Sequence, residues 1–172
     1  MFITNLENPL YGYSEETIIL KLSRNPDLLK YINSPTYEMV MTALRKDGLS
    51  LRWVRNKSKS FCHEAVIQNG LAICYVPYDD YEINLAALRN TGEAIQYLDQ
   101  EMIVYVRTAL FNDGMSLKYI KNKTEELCLM AVEDDGMALQ FVNNQTEAIV
   151  TAALKNNPSA SMFVDDQFEH LL

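Results

Sequence analysis

The sequence predicts an all-α fold, an α-solenoid of about seven 22-residue helical hairpins with capping ends, on three periodic observations. Gly48, Gly70, Gly92, Gly114 and Gly136 stand 22 residues apart, and fixed spacing of this kind marks a stacked repeat array. One period beyond either end of the series lie Pro26 and Pro158, so seven repeats account for residues 14–167. An aromatic follows each marker by five residues (Tyr31, Trp53, Tyr75, Tyr97, Tyr119, Phe141 and Phe163), with an aliphatic directly after. Four residues before each marker comes Leu or Val, from Leu22 to Leu154, preceded by Ala in every repeat except the one with Lys21. Small beside large at fixed spacing is the pattern of closely packed helices.

Each repeat then reads in the same order. Ser14, Thr36, Ser58, Asp80, Thr124 and Thr146 recur twelve residues before the marker, where a side-chain oxygen caps a helix N-terminus. Met102 alone breaks that series. Carboxylates such as Glu15, Glu38, Glu82, Glu125 and Glu147 follow in the first turn, where the helix dipole favours negative charge. An apolar stripe such as Ile83, Ala87 and Leu88 carries the first helix, which is about ten residues long. The dipeptides Asp47-Gly48, Asn69-Gly70, Asp113-Gly114 and Asp135-Gly136 predict a left-handed glycine cap at its C-terminus. The strict two-residue alternation of a β-hairpin is absent on either side. A second, short helix follows, typified by Leu51, Trp53 and Val54. Helices this short are marginal alone, so each hairpin must stack on its neighbours, and residues 14–167 are expected to form one domain. Residues 1–13, with Phe2, Ile3, Leu6, Leu10, Tyr11 and Tyr13, are expected to cover one open end, and residues 168–172, with Phe168, Leu171 and Leu172, the other.

The run A-[LV]-x-x-[DN]-G-x-[AS]-[LI]-x-[YWF]-[VIL], present at residues 43–54, 65–76, 109–120 and 131–142, resembles the DUF4116 repeat, in which short α-hairpins occur in tandem. The resemblance implies a helical array. It carries over no functional residue, since the family is a domain of unknown function.

At 172 residues the chain is long enough to bury a core and too short for two catalytic domains of typical length. Its 48% hydrophobic and 22% charged residues are those of a soluble folded protein. Fifteen Lys and Arg against 23 Asp and Glu leave a net charge of −8, which disfavours indiscriminate binding to nucleic acid or anionic membrane. Cys62, Cys74 and Cys128 lack paired spacing, which fits a reducing compartment. The N-terminus lacks the basic and long apolar stretches of a secretion signal, so a cytoplasmic location is expected, with no membrane partner.

Catalytic chemistry finds no foothold. His63 and His170 have no second His or Cys at ligand spacing, because Cys62 is adjacent to His63 and cannot share its helix face. No metal site is expected. Cys62 and Cys128 stand where other repeats have Ile18, Val40, Val106 and Val150, and read as small buried hydrophobes. The glycines are isolated and form no phosphate loop. The pairs Asp79-Asp80, Asp134-Asp135 and Asp165-Asp166 fall at helix ends, where Asp caps and solvates. A non-enzymatic protein without a cofactor is expected.

Two patterns point outward. Residues 125–172 hold one basic and nine acidic side chains, whereas residues 1–124 are balanced, an asymmetry that can steer a charged partner. The cations Arg52, Arg55 and Lys57 recur three repeats later as Lys118, Lys121 and Lys123, within the matching runs LSLRWVRNKSKSFC and MSLKYIKNKTEELC. They read either as a stripe for phosphates or an acidic protein, or as solvated faces left by a three-repeat duplication. The second pattern is departure from the repeat, which folding alone does not require. Tyr37, Tyr81 and Ile103 stand where other repeats have Glu or Lys, Ile67 and Phe111 where others have Ser, Arg, Glu or Lys, and Tyr78-Asp79 precedes Tyr81 closely. These residues either anchor a partner or are covered by neighbouring repeats.

The leading expectation is a protein-binding module that uses those seven residues, with inhibition of its partner as one mode of action. A second is an acidic antagonist of viral or effector type, in which Glu133, Asp134 and Asp135 occupy a nucleic-acid-binding surface of an enzyme in the host cytoplasm. A third is RNA or DNA binding by the basic segments, with Trp53 or Tyr119 stacking on bases. Repeat position makes both of those aromatics core residues, which weakens it.

Overall fold

The computed structural model describes residues 8–172; Phe2, Ile3 and Leu6 of the expected N-terminal cap lie outside them. Seven ten-residue α-helices carry the repeat: α1 (Glu15–Arg24), α2 (Tyr37–Lys46), α3 (Lys59–Gln68), α4 (Tyr81–Asn90), α5 (Ile103–Asn112), α6 (Glu125–Asp134) and α7 (Glu147–Asn156). After one intervening residue each is followed by a six-residue 3-10 helix, from Pro26–Tyr31 in the first repeat to Pro158–Phe163 in the last, and a further 3-10 turn spans Asp166–Leu171. Among the described residues there is no β-strand, and the architecture is that of an α-solenoid of helical repeats.

The expected caps are in place. Ser14, Thr36, Ser58, Thr124 and Thr146 each accept a hydrogen bond from the backbone N–H three residues on, as Asp80 does from Ile83 at 3.2 Å. Met102 supplies none. The second arm of each hairpin is a 3-10 helix, which suits so short a run and aligns residues three apart. In the second repeat this puts Gly48, Leu51 and Val54 together in the core.

The glycine markers correct the reading of the turn. Gly12, at φ 80°, is the described residue with a positive φ; the repeat glycines have none. No left-handed cap ends these helices. Instead the preceding Asp or Asn is extended, and Asp47, Asn69, Asp113 and Asp135 each accept from the N–H two residues on, capping the 3-10 helix. The Asx turn and the left-handed cap share the Asp-Gly dipeptide, so the sequence signal is degenerate. Glycine is required for close approach: a Cβ on Gly48 would run into the carbonyl of Ala65 and one on Gly114 into that of Ala131.

That approach is clasped by hydrogen bonds. Gly48, Gly70, Gly114 and Gly136 donate their N–H groups to Gln68 (2.5 Å), Asn90 (2.6 Å), Asp134 (2.8 Å) and Asn156 (2.8 Å), each the last residue of the next α-helix. The side-chain amides of Gln68, Asn90 and Asn156 in turn donate to the carbonyls of Lys46, Ile67 and Glu133 near the end of the helix before.

The chain forms two compact units, one ending at Asn90 and the other beginning at Thr91. In the N-terminal unit α1 to α4 pack in succession over Leu22, Ala43, Leu44, Ala65, Val66, Ala87 and Leu88, all without solvent exposure. In the C-terminal unit α5 to α7 do the same over Ala109, Leu110, Ala131, Val132 and Ala153. The division falls at Thr91, which occupies the Asp or Asn position of other repeats and makes no side-chain cap. Charge divides at the same place: ten basic against ten acidic residues up to Asn90, five against thirteen from Thr91 on.

Candidate functional site

The apolar departures from the repeat lie at the surface. In the N-terminal unit Tyr37, Ile67, Tyr78 and Tyr81 are exposed, and Tyr37 packs its ring against Phe61 with centroids 5.3 Å apart. Asp79 is engaged within the fold, its Oδ1 accepting from Asn84 Nδ2 at 2.6 Å. Although part of the ring is exposed, desolvation at the hydroxyl and its hydrogen bond with the buried Cys62 thiol push the Tyr78 phenol up to about 12, so it stays neutral. Cys62 and Cys128 are buried, and desolvation raises both thiols.

In the C-terminal unit Ile103 is 55% exposed and Phe111 84%. Eight residues apart, with Arg107 between them, they share one face of α5. This helix begins on Met102 without a side-chain cap and has no carboxylate in its first turn. The polar groups that start the other helices are replaced here by apolar ones.

The candidate cations are largely held by the fold. Arg52 pairs with Asp27 at 2.8 Å, and Trp53 Nε1 donates to the same carboxylate oxygen at 3.0 Å. Lys30 and Arg52 stand over the Trp53 ring, 5.7 and 5.1 Å from its centroid. Arg55 donates to Asn33 Oδ1 at 3.4 Å, and Lys57 Nζ to the Val54 carbonyl at 2.7 Å. The duplicated set repeats part of the arrangement: Lys118 lies over the Tyr119 ring and Tyr119 donates its hydroxyl proton to Glu93, while Lys123 donates to the Phe141 carbonyl in the next repeat. Lys121 stays exposed.

Trp53 and Tyr119 are therefore not core residues. Trp53 is 37% exposed and Tyr119 half-buried, because an indole N–H or a phenol needs a polar partner and keeps the ring at the rim. Sequence reasoning missed Asp27 and Glu93, which supply those partners. The available signal was an acid 26 residues before the aromatic, present at both copies of the duplication.

The Asp27 carboxyl is held below the ordinary carboxylate range, first by the Trp53 N–H and then by Arg52. A carboxylate depressed in the fold adds stability at pH above its unfolded value, and that stability is lost as pH falls through the folded value. Asp27→Asn is expected to lower Tm at neutral pH by a small amount, because the pair is half-exposed and solvent screens it. The gap from wild type should close in acid below about pH 4. A gap that is constant with pH would contradict this.

Of the acidic candidates, Glu133 is exposed. Asp134 accepts from Gly114, and Asp135 accepts from Met137 at 2.9 Å, so two of the three carboxylates are joints of the fold.

Fold and surface together define a helical-repeat protein of stacked hairpins, each an α-helix and a 3-10 helix. A family model described as Domain of unknown function (DUF4116) matches residues 58–103, the third and fourth repeats. The resemblance carried by the motif is thus shown over that part of the chain. No curated protein and no solved structure matches it. Among the described residues no helix is long and apolar enough to cross a membrane.

Proposed function

We propose that this chain is a non-enzymatic protein-binding module whose α-helical faces receive the partner. The observation that carries the reading is Phe111, 84% exposed at a position where the other repeats, Ile67 apart, have Ser23, Arg45, Arg89, Glu133 and Lys155. A phenylalanine left in water contributes almost nothing to folding, whereas a large aromatic of this kind anchors interfaces. The internal bonds of Arg52, Lys57 and Lys123 support this reading over nucleic-acid binding, since those cations already have partners.

Phe111→Glu is expected to leave helicity and Tm nearly unchanged, because exposed sites usually move stability by less than about 0.5 kcal/mol. It should lower affinity for a protein captured from extract at least tenfold, about 1.4 kcal/mol or more. Unchanged capture by the folded variant would reject the reading.

A further inference from the structure

We propose that the groove between α6 and α7 docks an amphipathic, lysine- and arginine-rich helix of the partner protein. The inference rests on the protein-binding reading and names the chemistry of the occupant. The groove has a volume of about 890 Å³ and is lined by Leu129 and Glu133 from α6 and by Glu147, Ala148, Thr151, Ala152 and, at its closed end, Asn156 from α7.

Repeat-to-repeat comparison shows what shapes this groove. Arg107 on α5 pairs with Glu126 on α6 and bridges the preceding helix pair, just as Arg45 pairs with Glu64 at 3.0 Å between α2 and α3. On α7 the position of Glu126 is Ala148 and that of Met130 is Ala152, so between the bonds that tie the two helices at their ends, Thr146 to Glu125 and Asn156 to the Glu133 carbonyl, the α7 side presents small side chains. The floor of small residues allows a backbone to come close, and Leu129 offers an apolar wall. Ten-residue helices are about 15 Å long, matching about ten residues of a docked helix whose apolar anchors recur every three or four positions.

Charge selects the occupant. The C-terminal unit carries five basic against thirteen acidic residues, and Glu133 and Glu147 line the groove itself. Lys155, also in the lining, is its one cation. A helix with Lys or Arg flanking its apolar stripe meets complementary charge and is steered toward this unit over a distance set by ionic strength.

The test uses the full chain and a fluorescein-labelled 14-residue peptide with leucines at helical spacing and lysines on the flanks, followed by fluorescence anisotropy. A peptide of the same composition, scrambled to destroy the apolar face, is the control. Ala148→Trp fills the groove from an exposed position, and a Glu133→Lys, Glu147→Lys double variant reverses its charge; circular dichroism confirms folding of both. The expected result is binding of the amphipathic peptide that weakens at least tenfold with either variant and at least tenfold on scrambling. Equal binding of the scrambled peptide, or unchanged binding by Ala148→Trp, would overturn the proposal. So would a dimer in sedimentation that Ala148→Trp dissociates, which would give the groove to a second copy. Failure of the peptide while Phe111→Glu still abolishes partner capture would overturn the occupant and leave the protein-binding reading standing; retention of partner by Phe111→Glu would reject that reading itself.

Discussion

Gly48→Ala is expected to destabilise the N-terminal unit by about 3 kcal/mol, the upper end for forcing atoms into a close-packed site. The added Cβ would overlap the Ala65 carbonyl oxygen and lie 3.1 Å from both the Ala65 carbonyl carbon and the Asn69 nitrogen, all of them backbone atoms that no rotamer change can move. Relief requires the two repeats to part, which also stretches the 2.5 Å bond from Gly48 to Gln68. Gly48→Asn separates close approach from a left-handed cap. At a left-handed position Asn is tolerated better than Ala; here the larger side chain should do at least as much damage. Gly12 is the internal control, with φ 80° and no atom within 4 Å of the place a Cβ would take. Gly12→Asn is expected to be nearly silent. Urea unfolding of wild type and the three variants decides the matter, and Gly48→Asn more stable than Gly48→Ala would contradict the requirement for close approach.

Leu110→Ala is expected to cost about 2–5 kcal/mol, the range of large-to-small changes in a rigid core. Leu110 has no solvent exposure on α5, while its neighbour Phe111 is 84% exposed. Phe111→Ala should therefore stay within about 0.5 kcal/mol of wild type although it deletes more atoms. Two adjacent positions on one helix thus part stability from binding: the first change destabilises the C-terminal unit, the second leaves its stability nearly unchanged and removes a surface anchor. Equal destabilisation by the two changes would show that Phe111 is covered in solution.

Much of this was legible in the sequence because repetition averages out local ambiguity. Six helix caps, the Ala-Leu or Ala-Val pairs of the core and the ten-residue length of the first arm all recur at one spacing, and a signal seen seven times survives an exception such as Met102 or Lys21. The second arm was less legible, since a six-residue run such as Gly48–Trp53 fits a short α-helix as well as a 3-10 helix. The Asp-Gly dipeptide misled because two backbone geometries share it, and only the position of the Ala65 carbonyl distinguishes them. The rim position of Trp53 depended on Asp27, a residue in another repeat that no local pattern links to it. The division at Thr91 interrupts no spacing; its traces are a missing Asx cap and a step in charge. Of the surface candidates, the apolar ones were visible as departures from the consensus, and their exposure follows because the consensus residues there are polar.

The most direct measurement is site-specific photocross-linking in extract of the source cells, with a photoreactive phenylalanine analogue placed at position 111 in one protein and at position 118 in another. Position 111 lies on the exposed face of α5, and position 118 on a 3-10 helix, where Lys118 covers the Tyr119 ring. The expected result is a discrete protein adduct from position 111 that is competed away by unlabelled wild type, and none from position 118. An adduct from position 118 alone, whether to protein or to nucleic acid, would contradict the protein-binding reading of the α-helical faces and move the working surface to the 3-10 helices.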